Sequence, residues 1–272
     1  GGCLTGRHPW RYGVLAAHTG GMRIAEKTIA DLARSAGYHT GFFGKWHLGW
    51  VKPEERLSRG FYSPPWHHGF DESFATTGAV PTWNPTVAPA ESAGGAEEEG
   101  KAKPGDPWKG GRPYVHDGVE VVDNMEGDDS RIIMDRVVPF MRRAADTGRP
   151  FLACCLLYTS PSPRDTLVFF TSDNGPADGP TARGVASAGP FRGHKHTMYE
   201  GGLRVPTVVE WPGHIAPGTS SDAPAGMVDL LPTFLDLLPV AAAPKRGRTL
   251  DGESLLKLLS GREWTRSSPL YF

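Results

Sequence analysis

Thr166-Leu167-Val168-Phe169-Phe170-Thr171, followed at once by Ser172-Asp173-Asn174-Gly175, decides the fold. A continuous apolar, β-rich run with no polar alternation reads as a strand covered on both faces, and such strands belong to parallel sheets flanked by helices. Working outward, residues 151–155 start like another buried strand, and residues 38–45 and 205–210 read as two more. Residues 22–36 (MRIAEKTIADLARSA) read as an amphipathic helix, with Ile24, Ile29, Leu32 and Ala33 near helical spacing and Gly37 as the stop. Residues 130–145 (SRIIMDRVVPFMRRAA) read as a second helix, capped by Ser130 and kinked at Pro139. Residues 226–238 and 253–260 read as short helices, the first interrupted by Pro232. Helices alternating with buried strands predict an α/β fold: a mostly parallel central sheet sandwiched by helices.

The 272 residues suffice for one large domain or two small ones. Thirty-five glycines and 25 prolines mark a loop-rich chain. With 29 basic against 30 acidic residues the formal net charge is −1, so no global field favours nucleic acid or an anionic membrane, and anion recognition must be local. No apolar run approaches the roughly 18 residues of a membrane span. Cys3, Cys154 and Cys155 offer neither a disulfide framework nor metal-knuckle spacing. Residues 85–112 lack an apolar period and read as a solvated surface insertion, the acidic triplet Glu97–Glu99 within it as a solvated turn.

Three segments carry groups suited to chemistry. Asp173 and Asn174 directly follow the 166–171 strand, where open α/β sheets bind ligands, and offer hard oxygens for Ca²⁺ or Mg²⁺. A plain Asp-Asn-Gly turn is the competing reading. In Gly44-Lys45-Trp46-His47-Leu48-Gly49, an extended backbone points Lys45 and His47 one way and Trp46 the other. Lysine and histidine converging on one point suit a tetrahedral oxyanion, although an isolated K-x-H is also common on a surface strand. In Gly193-His194-Lys195-His196, Lys195 is a second candidate anion ligand, while His194 and His196 have no third metal ligand at suitable spacing and read as exposed loop residues.

Together and in this order, these segments resemble the type I sulfatases of the alkaline phosphatase superfamily. Leu4-Thr5-Gly6-Arg7-His8-Pro9 resembles the family's L-T-G-R-x-P; Gly37-Tyr38-His39-Thr40 through Gly49 resembles its G-Y-x-T…G-K-W-H-L-G; His68-Gly69-Phe70-Asp71 resembles H-G-F-D. Thr171–Gly175 matches T-S-D-N-G, and Lys195 with Tyr199-Glu200-Gly201-Gly202 and Arg204-Val205-Pro206 matches K-x-x-x-Y-E-G-G-x-R-V-P. Asp229-Leu230-Leu231-Pro232-Thr233 and Leu250-Asp251-Gly252 complete the series. The resemblance implies one catalytic domain that hydrolyses sulfate monoesters, small-molecule or carbohydrate, by a formylglycine mechanism. It implies Asp173 and Asn174 as metal ligands, usually for Ca²⁺. Lys45 and Lys195 would hold the sulfate oxygens, and His47 would contact the nucleophile and help regenerate it. Family habit further implies export to a periplasm, lysosome or exterior. A phosphonate or phosphate ester hydrolase of the same superfamily and a non-catalytic anion-binding relic are the alternatives.

The chain also departs from the pattern. The C/S-x-P/A-S/T-R motif that yields formylglycine is absent, and the resemblance places it upstream of Gly1, together with an Asp-Asp pair of the metal site. The resemblance also implies that the smaller C-terminal subdomain is mostly missing. After residues 150–155 the family continues for some fifty residues that have no counterpart here. Residues 155–165 instead resemble one reading frame of a transposase-derived sequencing adapter and read as a junction between two pieces of one gene. His67, His68 and Trp83 stand as candidates for the rim of a substrate pocket, or as packing residues.

Overall fold

The computed structural model describes residues 1–15, 20–52, 61–88, 106, 114–155, 166–182, 184, 186–238 and 249–272. The element order is α1 (Gly2–Thr5), α2 (Ile29–Ser35), β1 (His39–Lys45), β2 (Glu72–Thr76), β3 (Val115–His116), β4 (Val119–Glu120), α3 (Asp129–Asp146), β5 (Phe151–Cys155), β6 (Val168–Thr171), α4 (Asp178–Ala182), α5 (Glu200–Leu203), β7 (Thr207–Glu210), α6 (Leu230–Leu237) and α7 (Leu256–Leu259). The chain divides into two compact units: residues 1–161 with 225–257, and residues 162–224 with 258–272. The expected junction lies, from residue 156 to 165, outside the described residues, as do residues 89–105 and 107–112 of the expected insertion.

The first unit is built on a five-stranded sheet ordered β4-β3-β2-β1-β5. Its central strand β1 runs parallel to β2, with Lys45 opposite Thr76, and parallel to β5, with His39 opposite Phe151. The strands β3 and β4 continue the sheet antiparallel. Successive residues alternate between two apolar clusters. Phe42, Ala75, Leu152 and Cys154 face one, filled by Ile29, Ala30 and Leu32 of α2 and by Leu4 and Leu231. Phe43, Phe74, Ala153 and Cys155 face the other, filled by Ile132, Ile133, Val137, Phe140 and Met141 of α3. Period-2 strands between two helical stripes give the expected sandwich, with a parallel centre and an antiparallel edge.

Several local expectations need correcting. The first helix does not start at residue 22 but at Ile29, because Thr28 and Asp31 form a reciprocal capping box, and Ile24 stays exposed. The second helix is capped by Asp128 rather than Ser130: the Asp128 carboxylate accepts from the Ser130 amide at 2.7 Å. Pro139 lies inside it without ending it. Pro232 does not interrupt α6, because it sits in the first turn, where a missing N–H costs no helical bond.

In the second unit, β6 and β7 form an antiparallel two-stranded sheet, Val168 opposite Glu210 and Thr171 opposite Thr207. This corrects the expectation of a strand covered on both faces. All four residues of β6 are only partly buried, and β7 is more exposed still.

Candidate functional site

Lys45 ends β1 at the carboxyl edge of the parallel strands. The backbone then breaks from the extended path: Gly44 has φ 115°, His47 has φ 51° and Gly49 has φ 146°. The extended-strand premise for Lys45 and His47 therefore fails at His47, whose left-handed backbone re-aims it. The loop is tied to β2's end, with the Trp46 amide donating to Thr76 O at 2.9 Å and the His47 amide to Thr77 O at 3.2 Å. Trp46 is buried, packed edge-on against Phe42 and Phe70, and its indole N–H donates to Ser63 O at 2.6 Å. Lys45 and His47 are both half-buried.

Beneath this loop lies a buried polar network. The Ser63 hydroxyl donates to Met22 O at 2.5 Å, and the Met22 amide donates to Leu48 O at 2.7 Å. His68 Nε2 is 2.6 Å from Ser63 Oγ. The hydroxyl has one proton, already committed to Met22 O, so the ring's Nε2–H donates to Ser63 Oγ. Its Nδ1 is buried without a hydrogen-bond partner. Burial drives the His68 pKa down to about 4, against smaller opposing effects from Asp31 and Glu26. His68 is thus a supporting core residue and not part of a pocket rim. Of the other rim candidates, His67 and Trp83 are exposed.

The opening segment is held by a residue far along the chain. Asp251 accepts from the His8 amide at 2.8 Å and from Arg11 Nε at 2.7 Å, while its own amide donates to Gly6 O at 2.8 Å. Burial alone would raise the Asp251 pKa, but Arg11 and the His8 amide outweigh it and hold the carboxyl below its ordinary range. Arg7 pairs with Glu26 at 2.7 Å. These contacts explain why an L-D-G segment accompanies an L-T-G-R-x-P segment, a dependence that inspection of either alone does not reveal.

The second unit gathers Asp173, Asn174 and Lys195. The Gly175 amide donates to Gly202 O at 2.9 Å, and the Lys195 amide to Pro176 O at 2.8 Å, so the Asp-Asn turn abuts both the Lys195 loop and the paired glycines. The approach needs glycine: a Cβ on Gly175 would lie 1.9 Å from Gly201 O. Asn174 Nδ2 donates to Gly175 O at 3.0 Å, leaving its Oδ1 available as a ligand. Among the described residues the Asp173 carboxylate and the Lys195 ammonium form no ion pair or side-chain hydrogen bond. His194 Nδ1 lies 2.8 Å from Lys195 O and its Nε2 3.7 Å from Asp178, so it is committed locally. His196, with φ 75°, is exposed. Among the described residues no group of three or more His, Cys, Asp or Glu side chains is arranged to hold a metal ion. Asp173 and Asn174 fit a hard cation by type, but two oxygens fall short of the six to eight that Ca²⁺ takes.

A sandwiched, parallel-centred sheet with its signature loop at the strands' carboxyl edge is an alkaline phosphatase-like α/β fold. It superposes on the crystal structure of Ps i-CgsB in complex with k-i-k-neocarrahexaose with a TM-score of 0.67 at 22% identity, covering 96% of this chain and 64% of that one. A structure solved in complex with its substrate D-glucosamine-2-N,6-O-disulfate gives 0.63 at 15% identity, covering 98% and 70%. The chain belongs to the sulfatase family, whose model matches residues 2–160 and again 155–240. Human arylsulfatase A is 32% identical over 316 aligned positions, which span 99% of this chain and 59% of that protein. Those 316 positions exceed the chain's 272 residues, so at least 44 of them (316 less 272) have no counterpart here.

Proposed function

We propose that the protein to which this chain belongs hydrolyses sulfate monoesters, with sulfated carbohydrates as the substrate class. The observation that carries this reading is the G-K-W-H-L-G loop, with Lys45 at the sheet's carboxyl edge and His47 fixed in a left-handed backbone beside it. Membership of the sulfatase family supports the chemistry, and the ligands of two structural neighbours support the carbohydrate class.

Lys45 and Lys195 serve as sulfate ligands. Each presents a fixed positive charge to an ester whose negative charge spreads over its oxygens and grows toward the leaving group. His47 holds or moves a proton at its ring nitrogen, stabilising the departing or attacking oxygen. Asp173 and Asn174 contribute oxygen ligands to a divalent cation, Ca²⁺ by family habit, which would supply further charge neutralisation when bound. The nucleophile, a formylglycine in this family, belongs to sequence upstream of Gly1. By the same habit the protein is exported. Among the described residues no helix is long and apolar enough to cross a membrane.

The stretches on either side of residues 155–165 are further proposed to be two pieces of one longer catalytic domain, joined there. Support comes from the divided family match and from the relative's unmatched positions. Sequencing the source DNA across codons 140–175 tests this: unchanged codons on a single long read would refute it.

The functional test is calorimetric binding of 4-nitrophenyl sulfate to the chain, its Lys45→Ala and Lys195→Ala variants, and a 4-nitrophenyl phosphonate control. Each lysine variant should weaken sulfate ester binding roughly tenfold, as expected for one lost charge-assisted contact. Equal binding by wild type and both variants, or a preference for the phosphonate, would overturn the assignment.

A further inference from the structure

We infer that the cleft around Trp83 is a subsite for an unsulfated sugar ring of a longer saccharide, an inference that rests on the carbohydrate reading above. The cleft has a volume of about 770 Å³ and is lined by Trp83, Asn84, Val122, Asn124, Glu126 and Arg131 among others. It belongs wholly to the first unit.

Its position follows from topology. β1 and β2 are parallel with Lys45 opposite Thr76, so the chain leaving Thr76 departs from the same sheet edge as the Lys45–His47 loop. That chain reaches Trp83 seven residues later. The α3 helix then runs from the cleft back to β5, whose first residue pairs with the opposite end of β1. Trp83 thus stands on the carboxyl side of the sheet, where the candidate sulfate ligand Lys45 also lies.

Trp83 is 64% exposed, yet its backbone is clamped. The Asp129 amide donates to Thr82 O at 2.9 Å, the Asn84 amide to Gly127 O at 2.8 Å, and the Gly127 amide to Asn84 Oδ1 at 2.5 Å. Trp83 also forms an isolated bridge with Asp128. An exposed indole on a fixed backbone is a preorganised platform, so little ordering entropy is lost when a ring settles on it. The C–H edge of a pyranose carries the partial positive charge that the face of an aromatic ring attracts.

The polar groups around it select against sulfate. Arg131 is already neutralised by Asp135 at 2.5 Å and bonded to Asn124 Oδ1 at 2.7 Å. The Glu126 carboxylate forms no ion pair among the described residues, and it would repel an anion while accepting from sugar hydroxyls. Asn84 Nδ2, which makes no hydrogen bond within the described residues, adds a donor. An aromatic face, a carboxylate and an amide suit a neutral sugar, whereas a sulfated one would meet uncompensated negative charge.

Calorimetry on the full chain tests this with two probes, an unsulfated galactose hexasaccharide and an unsulfated N-acetylglucosamine hexasaccharide. At least one should bind. Trp83→Ala should weaken it roughly tenfold, the loss of one stacked ring, and Trp83→Phe should restore most of the affinity. All three proteins should share one thermal melting profile and bind 4-nitrophenyl sulfate equally. If Trp83→Ala fails to fold, Glu126→Ala, at an exposed residue, replaces it and should weaken the hexasaccharide severalfold. Failure of both hexasaccharides to bind, or unaltered binding by the variant, would overturn the subsite. Loss of 4-nitrophenyl sulfate binding with the hexasaccharide still bound would instead refute the sulfatase reading and leave the subsite standing.

Discussion

His68 Nε2 lies 2.6 Å from the Ser63 hydroxyl, inside the core beneath the Trp46–Leu48 loop, where burial favours the neutral imidazole. The folded protein binds the His68 proton only near pH 4, whereas an unfolded histidine binds it near pH 6.5. Between those values the unfolded state holds more protons, so stability should fall as the pH drops from about 6.5 toward 4, by up to about 3 kcal/mol. Urea unfolding at stepped pH, with His68→Gln as the non-titrating partner, measures it. A wild type and variant with parallel pH dependences would exclude His68 as the cause.

Asp251 should matter more for stability than the charge pair it makes. Asp251→Ala strips the acceptor from the His8 amide and should cost about 1–2 kcal/mol, the usual penalty for an orphaned donor. Arg11→Ala leaves that bond in place and should cost less. Denaturant midpoints of the two variants and their double mutant check the order, and a larger effect from Arg11 would reverse it.

Gly175→Ala should loosen the second unit. The added methyl would collide with the Gly201 carbonyl, and overpacking of this kind costs about 1–3 kcal/mol. Faster proteolytic cleavage within residues 166–224, with the 20–52 region unaffected, is the expected outcome. Equal cleavage rates would mean that the two turns separate freely.

At His47 the backbone angle makes a separate demand. Asparagine tolerates φ near +51° and valine does not, so His47→Val should destabilise the protein by about 1–2 kcal/mol more than His47→Asn. Thermal melts compare the two. Both variants should lose whatever proton chemistry the imidazole supplies.

The parts of this fold legible in the sequence were those in which one short pattern determines one element. The stripe through Ile132, Ile133, Val137, Phe140 and Met141 identified α3 to within a residue or two, and the run at 151–155 identified β5. The β3–β4 hairpin has only a short local signal, Asp117-Gly118 at φ 47° and 92°, a two-residue turn between Val-His and Val-Glu. The Thr28-x-x-Asp31 box is equally local, but the apolar spacing that continues back through Ile24 masks the helix start it sets. Burial of β6 could not be read, because an apolar run records a need for cover and not its supply. Within the candidate site, residue types were readable from local motifs. The Ser63–His68 network and the Asp251 clasp were not, since each joins segments whose pairing only the folded chain displays.

The β6–β7 ribbon has a consequence for handling the protein. Among the described residues each strand has one ladder neighbour, so each presents a second edge, along which Val208 and Val209 lie exposed or half-buried. Such rims template the addition of further strands from other molecules. Self-association should therefore rise steeply with concentration and begin at this ribbon, and a lysine placed at Val208, already 60% exposed, should act as its gatekeeper.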